Sequence, residues 1–178
     1  MHIRRVATGH DDNGKSIIAS DEKIEATTVR LMPGFEFHSI WRGDQPASFP
    51  DDGSQPVAPS YFPPLGGFRF GLFTVPPGEV AGLPEGEFEA AAAEFEEKLP
   101  GLAAHMEPDS PGMHTTATID YEYIVSGSIT LELDDSSVDL KAGDTVVQNG
   151  TRHAWRNKGD VPCVIVVCLI GAEHRAVG

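Results

Sequence analysis

Residues 111–157, PGMHTTATIDYEYIVSGSITLELDDSSVDLKAGDTVVQNGTRHAWRN, decide the fold of this chain. Ile129, Leu131 and Leu133 alternate with Thr130 and Glu132, the period of a strand with one buried face. The runs 121–125, 137–140 and 145–148 are also β-like, and Gly127, Gly143 and Gly150 punctuate them. Short strands broken by turns predict a β-barrel or sandwich. His114 and His153 stand near the two ends of the stretch. In an extended chain residues of one parity share a face, so His114, Thr116, Asp120 and Glu122 are expected on one side unless a bend breaks the phase. Two imidazoles and a carboxylate are a competent donor set for Fe²⁺, Zn²⁺, Mn²⁺ or Ni²⁺.

The same pattern continues outward. Residues 163–170 form the longest apolar run, short of the ~20 residues of a membrane helix and better read as a buried strand. Residues 68–75 (FRFGLFTV) read as a strand stopped by Pro76-Pro77-Gly78. At the N-terminus, 3–8 and 16–20 flank Asn13-Gly14, a hairpin signal, and 26–31 read as a third strand before Pro33-Gly34. Residues 43–67 are rich in turn formers and predict an irregular loop. In PEGEFEAAAAEFEEKLPG, Phe88, Ala91, Ala92, Phe95 and Leu99 recur at helical spacing, with Glu94 and Lys98 as an i,i+4 pair. This helix, at about 85–99, is expected either to pack on the barrel surface or to cover a cavity as a lid.

Composition narrows the function classes. The chain has 178 residues and a formal net charge of −14, which argues against a nucleic-acid or anionic membrane partner. The N-terminal basic residues precede no apolar segment, so no secretory signal is read. Cys163 and Cys168 point to opposite faces of one predicted strand and are not expected to pair, which suggests a reducing, cytoplasmic setting. There is no P-loop, no dinucleotide-binding glycine pattern and no G-x-S-x-G, so no nucleotide cofactor is expected.

His114, Thr116, Asp120 and Gly127 form H-x-T-x3-D-x6-G. Gly143, Gly150, His153 and Asn157 form a second motif. Together these resemble the paired motifs of the cupin superfamily, across residues 111–162. The first motif has Thr116 where the family usually has a second histidine and Asp120 where it has glutamate. The second is one residue short and lacks a proline. The resemblance implies an all-β, single jelly-roll barrel spanning 1–178. Residues 1–67 would be an N-terminal β extension and loop, and 68–172 the barrel with its inserted α-helix. It implies that His114, Asp120 and His153 converge inside the barrel to hold a divalent metal, and that the chain pairs as a homodimer through its N-terminal hairpin.

Other residues carry two readings each. Glu122 either faces solvent or lies inward beside Asp120, where one of two close carboxyls would hold a raised pKa and act as an acid. His153 without metal is a candidate base. Trp155 is either a stacking wall of the substrate pocket or barrel core. Arg69 is either a clamp for a substrate carboxylate or a rim residue paired with an acid. Three functions follow. The first is a lyase- or isomerase-type enzyme acting on a small organic acid or an aromatic, polyketide-like metabolite, with Glu122, Asp120 and His153 as catalytic groups and Thr116, Trp155 and Arg69 around the substrate. The second is an Fe²⁺-dependent dioxygenase. The third is a non-catalytic small-molecule binding module.

Overall fold

The computed structural model describes residues 2–78, 82–84 and 86–175. β1 (Ile3–His10) and β2 (Ser16–Ile24) form an antiparallel hairpin that stands as its own two-stranded sheet. Its turn is where Asn13-Gly14 predicts it. The Asp11 carboxylate accepts the N–H groups of Asn13 and Lys15, both at 2.9 Å, and Gly14 takes a φ of 74°.

The expected third strand is displaced. In residues 26–31 only Thr27 pairs, bridging Phe37, while the strand is β3 (Glu36–Gly43). A bulge between Ser39 and Trp41 breaks the register of β3, so its apolar residues keep no single parity in the sequence. Val29 and Leu31 instead pack into a side-chain cluster with Phe37, Phe95, Leu99 and Leu102.

β4 (Phe68–Val75), β5 (Thr118–Ser126), β6 (Ser128–Glu132), β7 (Ser137–Lys141), β8 (Thr145–Gln148), β9 (Ala154–Arg156) and β10 (Cys163–Gly171) complete an all-β fold. One sheet has the order β3-β4-β10-β5-β8 and the other β7-β6-β9, and every pairing is antiparallel. Their inner faces meet: Val75, Ile124, Cys163 and Ile165 of the first sheet pack on Ile129, Leu131 and Leu140 of the second. At Gly127 the chain reverses between β5 and β6 with φ of 77°. A Cβ there would lie 2.6 Å from the Pro162 carbonyl oxygen, so the turn admits only glycine without rearrangement.

The inserted helix is α1 (Phe88–Lys98); residue 85 of the expected span lies outside the described residues. Ala91 and Phe95 are buried, Phe88 is exposed, and Glu94 holds Lys98 at 2.6 Å and Arg30 at 2.5 Å. The helix anchors through Phe95 and Leu99 to Val29 and Phe37. The chain that leaves it then reaches the cavity described next.

Candidate functional site

β5 carries the site because of its pleat. Ile124, Glu122, Asp120 and Thr118 alternate inward, while Tyr121 and Tyr123 are exposed. Ile124 meets the apolar core. Glu122 and Asp120, further toward the strand's start, face a cavity of about 120 Å³. Val167 and Leu169 of β10 stand opposite them in register, and Phe35, Phe73 and Trp155 give further apolar walls. Asp120 is 3% exposed and Glu122 6%, and Asp120 Oδ1 and Glu122 Oε2 are buried without a hydrogen-bond partner. Natural interiors rarely leave such atoms orphaned, so a water or a ligand in the cavity would supply their partner.

His114 and His153 line the same cavity. Their backbones form an isolated antiparallel bridge with two N–H···O bonds of 3.0 Å, which puts both side chains on one side. The ring centroids lie 4.1 Å apart. Each Nδ1 lies within hydrogen-bond distance of a carbonyl two residues back, 3.0 Å for Gly112 and 2.9 Å for Thr151. A carbonyl only accepts, so Nδ1 carries the proton and Nε2 keeps its lone pair. Burial lowers the pKa of both rings, that of His153 to about 4 with help from the His114 charge, so both are neutral at pH 7.

The carboxyls shift the other way. Burial raises Asp120 to about 6, opposed by the Thr118 hydroxyl, which favours its ionised form. Burial and then the Asp120 charge raise Glu122 to about 8. Near pH 7 Asp120 is mainly carboxylate and Glu122 mainly carboxylic acid: two neighbouring groups of one chemical type held in opposite protonation states.

The donor types suit a divalent metal: two imidazole lone pairs and an orphaned carboxylate oxygen. Their spacing does not close the site. Among the described residues no three His, Cys, Asp or Glu side chains converge on a point that could hold an ion.

Two expected pocket residues lie elsewhere. Thr116 is buried but does not appear in the described lining of the cavity, and its hydroxyl lies 2.8 Å from that of Thr118. The chain bends at Ala117 between the His114 bridge and β5, yet Thr116, Thr118, Asp120 and Glu122 are all buried, so the alternation carries through the bend while Thr116 and Thr118 stay outside the cavity lining. Arg69 does not face the acid pair. Its guanidinium donates to the carbonyls of Ser60, Tyr61, Phe62, Gly43 and Phe68 and to Asp44, the last at 2.7 Å. It fastens the irregular segment 60–62 to the barrel. That segment brings Tyr61 and Phe62 into the cavity, and Leu102 and Met106, which follow α1, join them. Burial and the charges of Asp120 and Glu122 raise the Tyr61 pKa, so its hydroxyl stays protonated. The sequence reading missed Tyr61. Its only signal was an aromatic pair, Tyr61-Phe62, inside a turn-rich loop. Trp155 does line the cavity, edge-on to His153 with centroids 6.1 Å apart. Asn157 braces the barrel end, donating to the carbonyls of Val75 and Val161 at 2.9 Å each.

The family model described as "Cupin domain" matches residues 104–169, the segment that holds both histidines and both acids. Residues 104–169 of this chain are a cupin domain. Among curated proteins, this cupin is 51% identical over 47 residues to phomopsin biosynthesis cluster protein C' of Diaporthe leptostromiformis, covering 26% of this chain and 25% of that protein. It is 42% identical over 48 residues to oryzines biosynthesis cluster protein J of Aspergillus oryzae, covering 26% and 27%. The matched stretch spans about a quarter of the length of these curated relatives. Among solved structures, the Schizosaccharomyces pombe Cnp3 cupin domain aligns over 94% of this chain and 87% of that one, with a TM-score of 0.48 and 13% identity. No described helix of this cupin is long and apolar enough to cross a membrane.

Proposed function

We propose that this cupin is an acid–base enzyme of lyase or isomerase type, acting on a small metabolite with an apolar, aromatic or polyketide-like body and a carbonyl or carboxyl group. The observation that carries the reading is the pair of buried, orphaned carboxyl oxygens, Asp120 Oδ1 and Glu122 Oε2, on two residues that line a largely apolar cavity. The biosynthesis-cluster names of the matched relatives support a small-molecule setting.

In this reading Asp120 takes a proton from carbon next to the substrate carbonyl, and Glu122 gives its proton to the oxygen that gains charge or leaves. In a dehydration the C–H and C–O bonds break, a C=C bond forms, and the leaving hydroxyl departs as water with the Glu122 proton. Transfer of the captured proton from Asp120 back to Glu122, through solvent, restores both groups. The neutral Nε2 atoms of His114 and His153 accept hydrogen bonds from substrate hydroxyls. Tyr61 and Trp155 hold the apolar body.

The test is turnover of a panel of small aromatic and polyketide-like acids by the wild type, Glu122→Gln and Asp120→Asn. Loss of turnover with ligand binding retained in both variants supports the pair as the acid and the base, and the wild-type rate should peak between about pH 6 and about pH 8. Full activity in either variant overturns the reading. So does an absolute requirement for oxygen together with one equivalent of iron by elemental analysis, which would move the chemistry to a dioxygenase.

A further inference from the structure

A second cavity, of about 230 Å³, lies on the other side of Tyr61 from the acid pair. Tyr61, Phe37, Phe73, Val167 and Leu169 line both cavities and form the wall between them. The lining is of opposite character. The chain carries a net charge of −14, yet no Asp or Glu appears in the described lining of this second space, while Arg42, Arg69 and Lys98 all do.

Arg42 and Arg69 are directly opposite each other on the paired strands β3 and β4. Like charges in that position repel, and a fold keeps such a pair only when something offsets it. For Arg69 the offset is visible: the Asp44 carboxylate and five backbone carbonyls. Lys98 is offset by Glu94 and the Thr28 carbonyl. Arg42 is half-buried, and among the described residues its guanidinium makes no hydrogen bond and no ion pair. Gly71 also lines the cavity, where a Cβ would lie 2.5 Å from the His38 carbonyl oxygen, so glycine is what lets β3 and β4 approach this closely. Ser39 and Ser60 add hydroxyls to the lining.

We propose that this cavity is a binding site for a small oxyanion, a carboxylate or phosphate group held by the free fork of Arg42 with serine hydroxyls beside it. A planar guanidinium matches such groups with two parallel hydrogen bonds, and the absence of lining carboxylates removes the competitor that most often occupies an arginine. The site is separate from the acid–base cavity and does not depend on the reaction proposed there. Tyr61 lines both cavities, so the anion site and the acid cavity share one wall residue.

The test is a titration of the full chain with inorganic phosphate and, separately, malonate, followed by ¹H–¹⁵N spectra that include the arginine Nε–H and tryptophan Nε1–H signals. The expected result is saturable binding with the largest shifts at Arg42, Ser39 and Gly71. Arg42→Gln should weaken it by about tenfold or more. Among the described residues the Arg42 side chain makes no hydrogen bond or ion pair, so this variant should keep the wild-type spectrum elsewhere. Glu122→Gln should bind both anions as the wild type does. Three results would overturn the site: no saturation by either anion, unchanged affinity in Arg42→Gln, or shifts centred on Trp155 and His153, which would place the anion in the acid cavity instead.

Discussion

The two ends of the space between the sheets are built from the same strands and behave in opposite ways. On β5, Ile124 points into one end, and on β10, Cys163 and Ile165 do the same; all three are 0% exposed. A few residues along, the same faces present Glu122 and Asp120 on β5 and Val167 and Leu169 on β10, and there the interior opens into a cavity. At the first end, packing alone satisfies every group. At the second, two carboxyls are buried with an oxygen each left unpaired. Burying a polar atom without a partner costs stability, so the first end holds the fold together and the second draws on that stability to keep the acid pair buried.

Breaking the apolar end gives the largest effect. Ile165→Ala removes a fully buried side chain from between the sheets and should cost about 3–4 kcal/mol, read from urea denaturation. If Glu122→Gln at the other end cost as much, the contrast between the ends would fail. The strap comes next. Arg69→Met leaves several carbonyls and Asp44 without their donor and should cost about 2–3 kcal/mol. Hydrogen exchange should then rise at 60–62 while β5 and β10 keep their protection.

A smaller effect sharpens the comparison through pH. Asp120 and Glu122 have folded pKa values above their unfolded ones, so the native state holds their protons where the unfolded chain has released them. Their contribution to stability is full below the unfolded values near 4 and is lost as pH rises through about 6 and about 8. Between pH 7 and 9 Glu122 alone should remove about 1.4 kcal/mol, and Glu122→Gln should abolish that part of the decline. His153, lowered to about 4, works in the other direction: its contribution is lost as pH falls from 6.5 toward 4. The smallest expected change is in Tyr61→Phe. It removes a neutral hydroxyl from the cavity wall and should move the Glu122 titration, followed by carboxyl ¹³C shifts, by less than about one unit.

Much of this was legible in the sequence. The alternation of β6 and the composition of β4, β8 and β10 predict strands close to those observed, and the spacing of Ala91, Phe95 and Leu99 predicts α1. Parity placed Asp120 and Glu122 together, because two residues along a pleated strand return to the same face. It placed Thr116 inward as well but not in the cavity lining, and it failed at β3, where a bulge hides the period. Nothing periodic marks residues 43–67, so the role of Tyr61 and the fastening of its segment by Arg69 could not be read from it.

By itself, then, the sequence determined most of the strands, the turns and the shared face of the two acids, because these depend on backbone geometry within a few residues. Tertiary structure alone decided what those acids face, that Tyr61 joins them, and, among the described residues, that His114, His153 and Asp120 share a cavity without closing a three-donor ion site and that Arg42 stands opposite Arg69 without an ion-pair partner. Each of those outcomes depends on contacts between segments far apart along the chain, where small differences in bend and register set which polar atoms meet a partner and which do not.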